Sequence, residues 1–323
     1  MNLQENLMLQ GAAKLIKECA GVSSEDIVLI VCDYQSFLVA NQICRACLAV
    51  GSNTNMVVIQ PTAGHGIEPP ELVGAAMQKT TVVFAVTSKS MSHTEAVKQA
   101  RAKGSRIITM PEFLPEMLIS GAIEANFTEQ RLVAEKVKDL LTIANTAVLT
   151  SEDGTNLTFD LSGRNGRAVH GIAKEPGTFA APPNIEASIA PLEGKAEGIL
   201  VVNASIAGIG LLSSPVKLEI SAGKAISISG GGDAQTLRSI IEEANDEKVY
   251  MVAELGIGLN PKACMRGSLL EDEAVLGSVH VALGSNASFG GTIQTKRHID
   301  LISLGATLEL DEKVIIQKGK LIV

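Results

Sequence analysis

His298 and Asp300, in KRHIDLISLG, stand at strand spacing, which puts an imidazole and a carboxylate on one face of an extended chain, about 7 Å apart along it. Two such groups can close on one metal ion. With five histidines and 35 acids in 323 residues, an H-x-acid pair alone is weak evidence. His280 adds to it. In GSVHVALG the alternation sets Val279, Val281 and Leu283 on one face and Ser278, His280 and Ala282 on the other, so small residues flank the imidazole. Glu254 lies in YMVAELGIGLNP, an acid inside an apolar strand, where an unpaired carboxylate is costly to bury and needs a cation or a proton. Glu186, in PPNIEASIAPLEG, is a further candidate, although its Pro-rich surroundings suit a solvated acid equally well. Taken singly, each of these residues reads as structural. Taken together, acids and imidazoles lodged in apolar strands of one region predict a metal site.

Other chemistries find less support. His65 sits in a Gly-rich loop, His93 begins a helical pattern and His170 follows SGRNGRAV, with no partner motif for any of them. No G-x-S-x-G is present, which sets aside a serine hydrolase of that type. The five cysteines (Cys19, Cys32, Cys44, Cys47 and Cys264) mostly occupy apolar segments, and the C-x-x-C of Cys44 and Cys47 falls within a helical pattern without a second pair.

The elements that must position the candidate ligands follow from the hydrophobic rhythm. The first half alternates strands (27–32, 56–59, 81–86, 106–110) with helices (36–50, 70–79, 93–103, 111–121, 128–145), the mark of a parallel sheet with crossover helices. CDYQSF follows the first strand where a dinucleotide fold would carry G-x-G-x-x-G, which removes most support for a nicotinamide or flavin role. After about residue 146 short strands and Gly, Asn, Asp and Pro turns take over, with one helix over 233–245 behind Gly230, Gly231 and Gly232. The expected fold is α/β: a Rossmann-like N-terminal parallel-sheet domain over 1–146, then a mostly antiparallel α+β domain over 147–323 that carries the metal site.

Composition narrows the function classes. A formal net charge of −8, with no cluster of Lys or Arg, argues against a nucleic-acid partner. The 46% apolar and 19% charged fractions exclude a disordered chain. Residues 199–216 lack any charge, but Asn203, three serines and interior glycines make them two buried strands rather than a membrane helix. MNLQENLMLQGAAKLIKECA has no continuous apolar stretch of a secretory signal, and the cysteines suit a reducing compartment, so a cytoplasmic protein is expected.

EASIAP, AELGIGLNP, HVALG and H-x-D, in this order, resemble the thermophilic metallo-aminopeptidases of the aminopeptidase T (M29) family, and SHTEAVKQARAKGSRI looks like that family's helix-strand unit. The resemblance implies a pair of divalent ions (Zn, Co or Mn) held by Glu186, Glu254, His280, His298 and Asp300, with Glu186 or Glu254 as general base. It also implies a homodimer and a leucyl-aminopeptidase-like hydrolase that activates a metal-bound water to cleave an amide bond of a small molecule or short peptide. The family's tyrosine falls here on Ala287. The same superfamily contains ring-cleaving enzymes of the 2,5-dihydroxypyridine 5,6-dioxygenase type, to which the chain is similar in size and layout. There one iron is held by the H-x-D pair and by a histidine at the place of Glu254. An Fe(II) triad of His280, His298 and Asp300 is the corresponding alternative here, and a degenerate binding protein is a second. The hydrolase is the leading expectation.

Overall fold

A computed structural model describes residues 3–323; Met1 and Asn2, the start of the stretch read above as lacking a secretory signal, lie outside the described residues. The chain divides into two compact units, Met1–Glu129 with His170–Asn184, and Gln130–Val169 with Ile185–Val323. The fold is α/β, with one parallel sheet and two that are antiparallel throughout their paired strands.

In the first unit, helix α1 (Leu3–Lys14) precedes strand β1 (Ile27–Asp33), α2 (Phe37–Val50), β2 (Asn53–Ile59), α3 (Glu71–Met77), β3 (Val82–Val86), α4 (Glu95–Ala102) and β4 (Arg106–Thr109). The strands lie parallel in the order β2, β1, β3, β4, closed by the short strand Phe179–Ala180. Continuous apolar runs such as IVLIVCD and VVFAV suit a sheet covered on both faces. Leu29, Val31, Val83 and Ala85 pack with Val73 and Met77 of α3 and with Val97 and Ala100 of α4. The alternating residues Val28, Ile30 and Phe84 point to the other face.

One expected helix is absent. Over 111–121 the chain makes only a single tight turn, Pro115–Leu118, because Leu114 before the proline is held extended and Glu112 takes a positive φ of 53°. Helix α5 (Phe127–Ile143) follows as expected.

The second unit holds two antiparallel sheets. The eight-stranded one runs from Lys224–Gly230 through Val216–Ser221, Glu197–Val202, Asn156–Asp160, Thr146–Thr150 and Thr307–Leu310 to the C-terminal hairpin. The other carries the candidate ligands on β5 (Arg167–Val169), β6 (Glu186–Ile189), β7 (Val252–Gly258), β8 (Val279–Gly284) and β9 (His298–Ser303). Their order is β9, β8, β7, β6, β5, with two short strands within 205–211 beyond β9. Helix α6 (Gly232–Glu243) starts one residue earlier than expected, and Asp233 bonds the backbone N–H and hydroxyl of Ser213 rather than capping its own helix. Among the described residues, no helix is long and apolar enough to cross a membrane.

Candidate metal centre

Antiparallel pairing fixes which side chains share a face, since directly opposed residues project to the same side. Arg167 stands opposite Ser188, and Val169 opposite Glu186. Ser188 stands opposite Gly256, and Glu186 opposite Gly258. Gly256 pairs with His280, and Glu254 with Ala282, the bulge lying between Val252 and Glu254. Asp300 pairs with Ala282, and His298 with Gly284. Glu186, Glu254, His280, His298 and Asp300 therefore all rise from one face. The other face carries Leu255, Ile257, Val281, Leu283 and Leu301, all buried. Small residues floor the polar face. A Cβ on Gly256 would lie 2.0 Å from Nε2 of His280, so the imidazole occupies the room that this glycine leaves.

Nε2 of His298 lies 3.0 Å from Oε2 of Glu254 and 3.2 Å from Oδ1 of Asp300. Its Nδ1 lies 2.8 Å from the carbonyl oxygen of Ser285. A carbonyl only accepts, so Nδ1 carries the hydrogen and Nε2 faces the two carboxylates. His280 presents Nε2 to Oε2 of Glu186 at 3.8 Å. Two groups can each offer three ligand atoms within 4.8 Å of one another: Glu254 with His298 and Asp300, and Glu186 with Glu254 and His280. Glu254 belongs to both. Among the described residues, the group around the H-x-D pair takes Glu254 as its third member, and His280 stands in the neighbouring group.

The electrostatics suit a cation. Glu186, Glu254 and Asp300 are 5%, 2% and 4% exposed. Burial pushes the carboxyls of Glu254 and Asp300 up, but His298 outweighs it and holds both below the usual carboxylate range. Burial opposes charge on His298; the Asp300 and Glu254 carboxylates outweigh it and hold the imidazole well above its ordinary value. Three buried carboxylates against two imidazoles form a donor set for a divalent ion. The Ser285 contact is the outer bond by which metal-binding histidines are oriented. Nδ1 of His280, also buried, has no hydrogen-bond partner. The residues present thus fit a divalent metal.

A loop after β8 shapes the open side. Phe289 stacks on His298, centroids 4.9 Å apart and planes 23° apart, and the Arg167 guanidinium lies 5.0 Å from the Phe289 centroid. Arg164 pairs with Glu193 and donates to the carbonyl of Gly290. Glu193 accepts from the Asn286 amide at 3.0 Å and from the Thr292 backbone N–H at 2.7 Å. The Asn286 carbonyl oxygen accepts from the backbone N–H of Ile293 at 2.7 Å. Burial raises the Glu193 carboxyl, and the Thr292 N–H, Asn286 and Arg164 outweigh it, holding the group below its ordinary range. This net anchors the stretch that supplies both the Ser285 carbonyl and Phe289. Ala287, at the place of the expected tyrosine, is exposed. The motifs gave no sign of Arg164, Arg167, Glu193 or Asn286. The nearest signal was the compact GSNASFGG itself, whose Gly291 would bring a Cβ within 2.1 Å of the Asn286 amide. His65 lies in the first unit, where its Nδ1 accepts from the backbone N–H of Ser90 at 3.2 Å.

Comparison with known proteins gives three similarities. The sequence model of a family described as "NicX: 2,5-dihydroxypyridine 5,6-dioxygenase" matches residues 9–323. A 2,5-dihydroxypyridine 5,6-dioxygenase of Pseudomonas putida KT2440 is 26% identical over 254 residues, 73% of this chain and 70% of that protein. A solved structure of the 2,5-dihydroxypyridine dioxygenase from this organism superposes with a TM-score of 0.82 at 21% identity, covering 99% of this chain and 98% of that one. The wild-type AmpT of Thermus thermophilus superposes with a TM-score of 0.70 at 13% identity, covering 98% and 99%. These findings overturn the leading expectation of an aminopeptidase-type hydrolase. The peptidase likeness is one of fold, and the family match lies with the dioxygenases. The motifs misled because H-x-D and an in-strand glutamate name ligand types for a metal without naming the reaction.

Proposed function

The chain belongs to the 2,5-dihydroxypyridine 5,6-dioxygenase (NicX) family, and from that premise we propose that it is a metal-dependent dioxygenase that opens a hydroxylated N-heteroaromatic ring. The observation that carries the proposal is the group of half-buried His298 with buried Glu254 and Asp300, in which Nε2 of His298 is turned toward both carboxylates by the Ser285 carbonyl. These three residues would hold one ion, Fe(II) by the family's chemistry, which when bound supplies Lewis acidity and one-electron reactivity toward oxygen. Glu254 makes the set richer in oxygen than a 2-His-1-carboxylate triad, so Mn(II) is the natural competitor.

The remaining groups have work that follows from their places. The Ser285 carbonyl keeps the hydrogen of His298 on Nδ1. Phe289 covers one face of the imidazole and excludes water from it. His280, with Nε2 beside Glu186, is placed to hold the proton that a ring hydroxyl gives up.

The test is anaerobic reconstitution of metal-free protein with Fe(II), followed by oxygen uptake with 2,5-dihydroxypyridine and mass spectrometry of the product. The expected result is oxygen consumption matched to ring opening, lost in Asp300→Ala together with bound iron. Full iron loading with neither oxygen uptake nor ring opening on this or any other hydroxypyridine, ring carboxylates included, would overturn the proposal.

A further inference from the structure

On the site face, Arg167, Ser188, Gly256 and His280 stand in one lateral row that runs on to Ile302. Arg167 is the one Lys or Arg among the paired positions of this face on β5 to β9. Its guanidinium rests against Phe289 and, among the described residues, makes no ion pair or hydrogen bond, although carboxylates rise from the same face. Ser188, directly across from it, is 1% exposed, and its hydroxyl has no hydrogen-bond partner. Opposed side chains on one face start about 4.5–5.5 Å apart at Cβ, so the two unmatched groups are neighbours. A buried hydroxyl without a partner is costly, and the structure keeps one beside a cation with its planar fork unused. A carboxylate answers both, two oxygens to the fork and a lone pair to the hydroxyl. Phe289 ties this corner to the metal centre. The guanidinium lies no farther from the His298 ring than the two stacking distances, 5.0 and 4.9 Å, laid end to end.

We propose that Arg167 and Ser188 form a carboxylate subsite, and that the ring this protein acts on carries a carboxylate group in addition to its hydroxyl. The inference rests on the ring-opening reading above for the nature of the ring, and on the row of unmatched donors for the carboxylate.

Two probes of one shape separate charge from fit: 6-hydroxypyridine-3-carboxylate and its neutral 3-carboxamide, titrated calorimetrically into full-length protein, metal-loaded under anaerobic conditions and metal-free. The wild type should bind the carboxylate about ten- to a hundredfold more tightly than the amide. Arg167→Gln should abolish that preference, and Ser188→Ala should reduce it several-fold. Arg167→Lys keeps the charge without the fork and should retain part of the preference, which guards against a folding defect in the glutamine variant. Equal binding of the two probes by the wild type, no binding of either, or an undiminished preference in Arg167→Gln each overturns the subsite. Oxygen uptake is read separately. A charge preference that persists with no uptake on any hydroxypyridine overturns the dioxygenase reading alone, and uptake without a charge preference overturns the subsite alone.

Discussion

Gly256→Ala puts the construction of the candidate metal centre to a quantitative test. The added methyl carbon would lie 2.0 Å from Nε2, 2.2 Å from Cε1 and 2.7 Å from Cδ2 of His280. Reaching ordinary contact at 3.4 Å requires the ring edge to retreat by about 1.4 Å. His280 is 1% exposed, so it has no solvent to swing into, and the strand beneath it is locked on its other face by Leu255 and Ile257. Forced overpacking of this kind costs about 1–3 kcal/mol. At about 2–4 °C per kcal/mol for a chain of this size, the melting temperature should fall by roughly 2–12 °C. The retreat also carries Nε2 away from Glu186, and a misplacement on the order of 1 Å at a reacting site costs about a hundredfold in rate. Calorimetric melting and kcat/KM from oxygen uptake read the two effects separately. Gly232→Ala serves as the control, because nothing lies within 4 Å of its added methyl and its φ is ordinary. If Gly256→Ala melts within about 1 °C of the wild type and keeps its kcat/KM, the close approach of His280 to β7 is wrong.

Glu193→Gln removes the charge that joins Arg164, Asn286 and the Thr292 N–H. Metal affinity should drop about tenfold through the loosened Ser285 contact, with a readily measured change in competitive chelator titration; unchanged affinity would show that the loop is held by other means. Asp26 accepts from the Thr81 hydroxyl at 2.7 Å, from the Ser23 N–H at 2.8 Å and from Arg106. Burial raises its carboxyl and these bonds outweigh it, so its folded pKa lies below the unfolded value, near 3.9. Its contribution is then present above that value and lost as pH falls through the folded pKa. Asp26→Asn should cost about 3 kcal/mol at pH 7, a deficit that narrows in acid; equal denaturant midpoints at pH 7 would refute the pairing. Burial pushes the Cys32 thiol up to about 11 and Cys47 up to about 12, whereas Cys264 is exposed. A chromogenic disulfide reagent at neutral pH should therefore modify Cys264 first and reach Cys32 and Cys47 only on unfolding, as peptide mapping would show.

The legible parts of this protein were those where a residue contradicts its own surroundings. Glu254 and His280 betray themselves as polar groups in strands otherwise composed of aliphatic residues and glycine, and the two-residue period places His298 with Asp300 without any structure. The parallel layer of the first unit is equally visible, because continuous apolar runs alternate with amphipathic stretches. What stayed hidden depends on register and on loop closure. The opposition of Arg167 to Ser188 follows from which strands pair, and the stack of Arg167, Phe289 and His298 joins positions more than a hundred residues apart. The grouping of Glu254, rather than His280, with the H-x-D pair likewise follows from register, since Glu254 and Asp300 both stand opposite Ala282 whereas His280 stands opposite Ile302. The reaction itself was read wrongly for a related reason. Ligand types suggest a metal and leave the reaction open, and the contacts of the loop beside them are not written in its spacing.

The segment between β8 and β9 is fastened by Arg164, Glu193 and Asn286 and returns the chain to the strand next door. Because the same segment supplies the Ser285 carbonyl and Phe289, a change in its length or contents reaches His298 as well as the rim of the site.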